Sequence, residues 1–186
     1  QFQEDTFCNC EEEHVRAVVE SDYKKFISIG RFSVEKGHKR LIAAFTTYWT
    51  MHQDAYLIII GGAGELYEQT VQWANESVAG SHIIIIRSLQ NPMPILKRCQ
   101  LFILSSLYEG LGLVLLEADT LGVPVVSCDI TGPRGFMKKN GGTLVEDSEE
   151  GILHAMNLYD EGKIHCMNVD YRKMNEENQR KAEQLM

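Results

Sequence analysis

Two carboxylates, Glu109 and Glu117, stand eight residues apart in the stretch EGLGLVLLEADTLG, residues 109–122. Gly110 and Gly112 lie between them and permit a tight bend and close approach of a ligand. Leu113, Val114, Leu115, Leu116 and Ala118 surround Glu117 and read as a helix. A helix start offers unpaired N–H groups and the positive end of a dipole, which suits a phosphate. A carboxylate does not hold a phosphate unless a cation lies between them. It accepts hydrogen bonds from neutral hydroxyls instead. With a helix starting near Leu111, Glu117 falls roughly 9 Å along its axis, at about 1.5 Å per residue. The stretch therefore suits a ligand with phosphate in its middle and hydroxyls at both ends, the form of a nucleotide sugar. Spacing alone equally fits a plain turn followed by a helix with a solvated glutamate.

Cations for such a phosphate stand upstream, at Arg31 and Lys36, just after the run KFISIG that ends at Gly30. Two cations with backbone donors can neutralise a diphosphate. Composition alone also allows ordinary loop charges paired with Glu35. Gly61-Gly62-Ala63-Gly64 invites a dinucleotide reading, but counting G-x-G-x-x-G from Gly62 puts Tyr67 at the last glycine. Close approach of a sugar or phosphate at Gly62 and a simple tight turn remain as its two readings. His38 and His82 read as loop or strand ends rather than bases, and Tyr108 as a packing aromatic.

These residues need a scaffold that brings them together. Apolar runs at Lys25–Gly30, Tyr56–Ile60, His82–Ile86, Leu101–Leu104, Pro124–Ser127 and Gly142–Val145 read as six strands. Several are too continuously apolar to be exposed on one face, as in a parallel sheet covered on both sides. Helical spacing fills the gaps at 38–53, 65–78, 95–98, 111–121 and from Ser148. Thr131–Gly135 reads as a turn. The expectation is a doubly wound α/β, Rossmann-like sheet, whose ligands sit at the carboxyl ends of the strands where their order reverses. Residues 1–24 read as a connector from a preceding domain, 25–165 as the domain, and 166–186 as a polar helical tail.

Composition narrows the partners. The chain of 186 residues is 44% hydrophobic and 24% charged, as expected of one soluble globular domain. Its net charge of -8 argues against a general nucleic-acid binder. No apolar run approaches the ~18 residues of a membrane helix. The five cysteines are scattered and odd in number, which fits reduced thiols in the cytoplasm; Cys99 and Cys128 read as core residues.

The string E-G-x-G-L-x-L-x-E-A from Glu109, followed by G-V-P-V-V from Gly122, resembles the donor-site signature of retaining glycosyltransferases of the GT-B fold, in particular the large family four. G-R-x-x-x-x-K-G from Gly30 is similar to the family's second signature. The resemblance covers most of Lys25 to about Leu158. It implies the C-terminal, donor-binding half of such an enzyme and transfer of a hexose from a nucleoside-diphosphate sugar with retention. Arg31 and Lys36 would hold the diphosphate with the amides of Leu111 to Leu113 around Gly110 and Gly112. Glu109 would take donor-sugar hydroxyls and Glu117 the ribose. Arg87 and Leu89, after the third strand, would meet the nucleobase, a UDP sugar being weakly favoured. Neither a cofactor nor a metal is implied, and no Asp-x-Asp motif occurs.

The chain departs from that pattern in three ways. Leu111 stands where phenylalanine is common, and Gly135 where glutamate is common. The acceptor-binding N-terminal domain is absent from this sequence, which implies donor binding with little or no turnover. The acceptor, a glycan, lipid or cell-wall polymer, would be met through that domain, in the cytoplasm or at the inner face of the membrane by peripheral association. A sugar-nucleotide epimerase, a glycogen-synthase-like polymerase and a non-catalytic nucleotide-binding domain are the alternatives.

Overall fold

A computed structural model describes residues 10–62 and 64–176. Cys8, Ala63, residues 1–9 of the expected connector and residues 177–186 of the expected tail lie outside the described residues. Six strands form one sheet: β1 (Lys24–Ile29), β2 (Ala55–Ile60), β3 (Ile83–Ile86), β4 (Leu101–Leu104), β5 (Val125–Cys128) and β6 (Thr143–Val145). Their order is β3-β2-β1-β4-β5-β6, and every neighbouring pair is parallel. The doubly wound α/β expectation holds. The order reverses between β1 and β4, so the ligand crevice of such a sheet belongs at the carboxyl ends of those two strands.

Helices flank the sheet: α1 (Glu12–Glu20), α2 (His38–His52), α3 (Tyr67–Glu76), α4 (Met93–Leu96), α5 (Leu113–Thr120), α6 (Thr131–Lys139) and α7 (Glu149–Asp160). Alternate strand residues feed two separate cores. On one face Phe26, Leu57, Ile59, Ile85 and Ile103 meet Leu41, Phe45 and Tyr48 of α2 and Ile152 and Met156 of α7. On the other, Ile27, Ile58, Ile84 and Phe102 meet Val15 and Val18 of α1, Leu115 and Ala118 of α5 and Met137 of α6. This two-sided burial is why the strands read as unbroken apolar runs. Ser148 caps α7, its hydroxyl accepting from the Gly151 N–H at 2.9 Å.

Two local readings are corrected. Helix α5 begins at Leu113, not Leu111. Gly112 has left-handed backbone, φ 73° and ψ 75°, which a helix cannot continue. Thr131–Gly135 is not a free turn but the first half of α6. Pro133 falls in the first turn, where a missing N–H costs nothing. A Cβ on Gly132 would lie 2.0 Å from the carbonyl oxygens of Glu109 and Gly110. Glycine there lets the start of α6 sit directly against the loop after β4.

Candidate functional site

The loop after β1, residues 30–37, and the loop after β4, residues 105–112, meet at the point where strand order reverses. Three contacts bind them. Leu107 N–H donates to the Glu35 carbonyl at 2.7 Å. Ser105 Oγ donates to the Lys36 carbonyl at 2.9 Å. Arg40, two residues into α2, donates to the Ser105 carbonyl at 2.7 and 2.9 Å and to the Ser106 carbonyl at 2.8 Å. Its remaining nitrogen pairs with Asp147 before α7 at 2.6 Å, so a third loop is held as well. Gly37, at φ 64°, gives this junction room, since a Cβ would sit 2.3 Å from the Ser105 carbonyl oxygen.

Within that frame Lys36 Nζ pairs with Glu109 Oε2, both side chains 16% exposed. Ser106 Oγ approaches the same carboxylate oxygen at 3.4 Å. A Cβ on Gly30 would press on the aliphatic stem of Lys36 at 3.0 Å, so the bare glycine lets the lysine lie across the strand end. Arg31 is more open, 71% exposed and 3.5 Å from Glu35.

Arg31, Glu35, Lys36, Glu109 and Gly110 line one cleft of about 710 Å³ with Thr131 and Arg134 of α6 opposite. That volume suits a drug-sized ligand. Arg134 pairs with Asp129 at 2.5 Å on that wall. The amides that open α5 are those of Leu113 and Val114, because Leu115 N–H already bonds the Gly112 carbonyl at 2.8 Å. Tyr108, 78% exposed, also lines this cleft.

The expected site residues divide accordingly. Arg31, Lys36, Glu109 and Gly110 converge on the cleft, with Gly30 beneath Lys36. Leu111, Gly112 and Leu113 continue from its rim into α5. Glu117 is exposed, one turn into α5, and does not line the cleft. Arg87 lies two strands away, its guanidinium 5.1 Å from the centre of the Tyr67 ring. Leu89 packs with the second core and faces a smaller pocket beside Val15 and Val19 of α1. Gly62 has open space where a Cβ would be, whereas Gly61 and Gly64 are each pressed on Phe32. The Phe32 ring thus explains Gly61, and the Phe32 backbone explains Gly64.

Sequence reasoning missed Arg40, Ser105, Ser106, Asp147 and the α6 wall. His38, read as a loop end, opens α2 beneath the loop. His38 is buried, neither ring nitrogen has a hydrogen-bond partner, and burial pushes its pKa down to about 4. Among the described residues no cluster of His, Cys, Asp and Glu could hold a metal ion, and no helix is long and apolar enough to cross a membrane.

Comparison with known proteins supplies the family. A family model described as Glycosyl transferases group 1 matches residues 10–181. An uncharacterized glycosyltransferase of Methanocaldococcus jannaschii is 37% identical over 113 residues, 60% of this chain and 28% of that one. The lipopolysaccharide core biosynthesis glycosyltransferase LpsE of Rhizobium meliloti is 30% identical over 138 residues, 73% of this chain and 39% of that one. The chain thus spans well under half the length of these curated relatives. Among solved structures, the C-terminal domain of a glycosyl transferase group 1 protein, LpcC, of Francisella tularensis superposes with a TM-score of 0.64 at 22% identity, covering 74% of this chain and 75% of that one. A mutant of Staphylococcus aureus TarM, in complex with fondaparinux, alpha-GlcNAc-glycerol and UDP, gives a TM-score of 0.64 at 25% identity, covering 73% of this chain and 29% of that one.

Proposed function

The chain belongs to the glycosyl transferases group 1 family, and on that premise we propose that it is the nucleotide-sugar-binding domain of a retaining glycosyltransferase. The observation that carries the reading is the meeting of Lys36 and Glu109 at the switch point of the sheet, in a cleft of about 710 Å³. Lys36 and Arg31 neutralise the donor diphosphate, helped by the amides that open α5. The same groups stabilise the charge that grows on the diphosphate as the sugar departs. Glu109 accepts hydrogen bonds from donor-sugar hydroxyls. A nucleoside lying along α5 brings its ribose to Glu117, about 6 Å from the helix start at 1.5 Å per residue. The base then lies towards β3, where Arg87 and Leu89 follow the strand.

UDP is the favoured nucleotide, because it is the one bound in the TarM complex. The acceptor is a glycan, lipid or envelope polymer; LpsE is named for lipopolysaccharide core biosynthesis. It is met through a second domain, in the cytoplasm or against the inner face of the membrane. The 186 residues alone bind donor and turn over little. Calorimetric titration with the UDP, GDP, ADP and CDP conjugates of common hexoses tests the site. The native chain should bind one nucleotide class, and a variant carrying Arg31→Ala and Lys36→Ala should bind it at least tenfold more weakly. Equal affinity in both proteins would remove the assignment.

A further inference from the structure

The two groups that the proposed function assigns to different parts of the donor hold each other in this structure. Lys36 Nζ is paired with Glu109 Oε2, and both side chains are mostly buried at 16% exposure. A diphosphate brought to Lys36 therefore arrives beside a carboxylate. Two anions at one ammonium in a part-buried cleft repel each other. Glu109 must then leave Lys36, and what it meets next depends on the ligand.

A nucleotide sugar brings hydroxyls that donate to the freed carboxylate. A free nucleoside diphosphate has its only hydroxyls on the ribose, at the other end of the diphosphate, and its terminal phosphate adds further negative charge. We propose that Glu109 is a selectivity latch. It competes with phosphate for Lys36, and only a ligand carrying sugar hydroxyls offsets its release. This rests on the donor-site reading above. The latch favours donor over spent nucleotide and so assists release of the nucleoside diphosphate after transfer. Its frame is rigid on one side and open on the other. Arg40 fixes the Ser105 and Ser106 carbonyls, while among the described residues the Glu109 carboxylate has only the long 3.4 Å contact to Ser106 besides Lys36. The backbone stays in place and the carboxylate is the part that can turn.

The latch makes a prediction with opposite signs. Lys36→Gln and Glu109→Gln delete the same ion pair. A purely structural pair would make the two variants behave alike. Under the latch, Lys36→Gln weakens UDP and UDP-glucose by tenfold or more, whereas Glu109→Gln tightens UDP by roughly tenfold, the usual scale of one charge-assisted contact. The ratio of UDP-glucose to UDP affinity falls in Glu109→Gln. Glu109→Ala, which has no amide of its own to donate to phosphate, must shift UDP in the same direction. Thermal unfolding confirms that each variant is folded before titration.

Native binding of UDP that Lys36→Gln weakens, together with unchanged or weaker UDP binding by both Glu109 variants, overturns the latch and leaves the donor site standing. If the native chain binds none of UDP, GDP, ADP, CDP or their glucose conjugates, the donor site fails and the latch falls with it.

Discussion

Two lysines bracket β1, and their surroundings are unlike. Lys24 opens the strand on the edge away from the cleft. It donates to Tyr48 Oη at 2.6 Å and to Asp160 at 2.7 Å, and it lies 3.1 Å from Asp54. Tyr48 Oη donates in turn to Asp160 at 2.7 Å. An ammonium has three donors, and here all three are matched. Lys36 follows β1 on the opposite edge, and among the described residues Glu109 is its one side-chain partner. The first lysine ties α2 and α7 to the strand; the second holds one carboxylate beside a cleft. A charge whose bonding is complete belongs to the fold, and one left incomplete in a crevice is available to a ligand.

The sharpest way to break this contrast is to remove each lysine in turn. Lys36→Ala should weaken nucleotide binding roughly a hundredfold, about 2.7 kcal/mol, with little change in unfolding free energy. Lys24→Met should leave binding within about twofold but lower stability by roughly 2 kcal/mol, because it takes the ammonium from the part-buried Asp160 carboxylate and leaves it with Tyr48. The figure is set below that of a fully buried pair because both side chains keep 22% exposure. Calorimetric titration and urea unfolding of both variants measure the two quantities. Equal stability loss in both would erase the distinction between the edges.

The same contrast explains what the sequence made legible. The closed, apolar parts were readable. Ile83–Ile86 and Leu101–Leu104 are buried on both faces, so their runs announce a parallel sheet, though not the order of its strands. Lys36 and Glu109 were expected on one rim from motif and topology, and the structure pairs them there. The parts set by close backbone approach were not readable. Gly112 ends the loop in a left-handed turn, and E-G-L-G-L fits a helix start on either side of it. Gly132 and Pro133 looked like a turn because their reason, the nearby carbonyls of Glu109 and Gly110, lies more than twenty residues away. Arg40 recognises carbonyls, which every residue carries, so no residue type at positions 105 or 106 could have pointed to it. Phe32 sits unremarked between Arg31 and Lys36, yet its buried ring accounts for Gly61 and its backbone for Gly64 in the loop after β2.

The two edges should also fail at opposite ends of the pH scale. His38, under the cleft loop, is held by burial at a pKa of about 4 against an ordinary 6.5. The unfolded chain takes up this proton first as pH falls, so stability is full above about 6.5 and is lost below it. The loss reaches roughly 2 kcal/mol near pH 5. His38→Leu should flatten this acid limb, because an apolar side chain replaces two unpartnered nitrogens. At the other edge burial, reinforced by Asp160, raises the Tyr48 pKa. Burial alone would lower Lys24, but hydrogen bonds to Asp160, Tyr48 and Asp54 outweigh it and raise its pKa. Folding therefore keeps both protons that the unfolded chain sheds above about pH 10, and stability is lost as pH rises past that point. Tyr48→Phe should weaken the alkaline limb and leave the acid one unchanged. Thermal midpoints of native chain, His38→Leu and Tyr48→Phe between pH 5 and 11 test both limbs, and a His38→Leu profile that still falls as steeply in acid would place the acid loss elsewhere.

The smallest effect sharpens the contrast within the cleft itself. Arg31 shares the rim with Lys36 but is 71% exposed and only 3.5 Å from Glu35, where Lys36 is 16% exposed. Exposed charges act through water and are screened within about 10 Å at 0.1 M salt. Arg31→Ala should therefore weaken nucleotide binding only about threefold at moderate salt, and leave stability unchanged. Its contribution should fade as salt rises towards 0.5 M, while the contribution of Lys36 persists. A Lys36→Ala effect that vanished in salt together with that of Arg31→Ala would mean that both cations merely attract the phosphate from a distance. A persistent one means that Lys36 holds it in contact, at a position from which Glu109 has to withdraw.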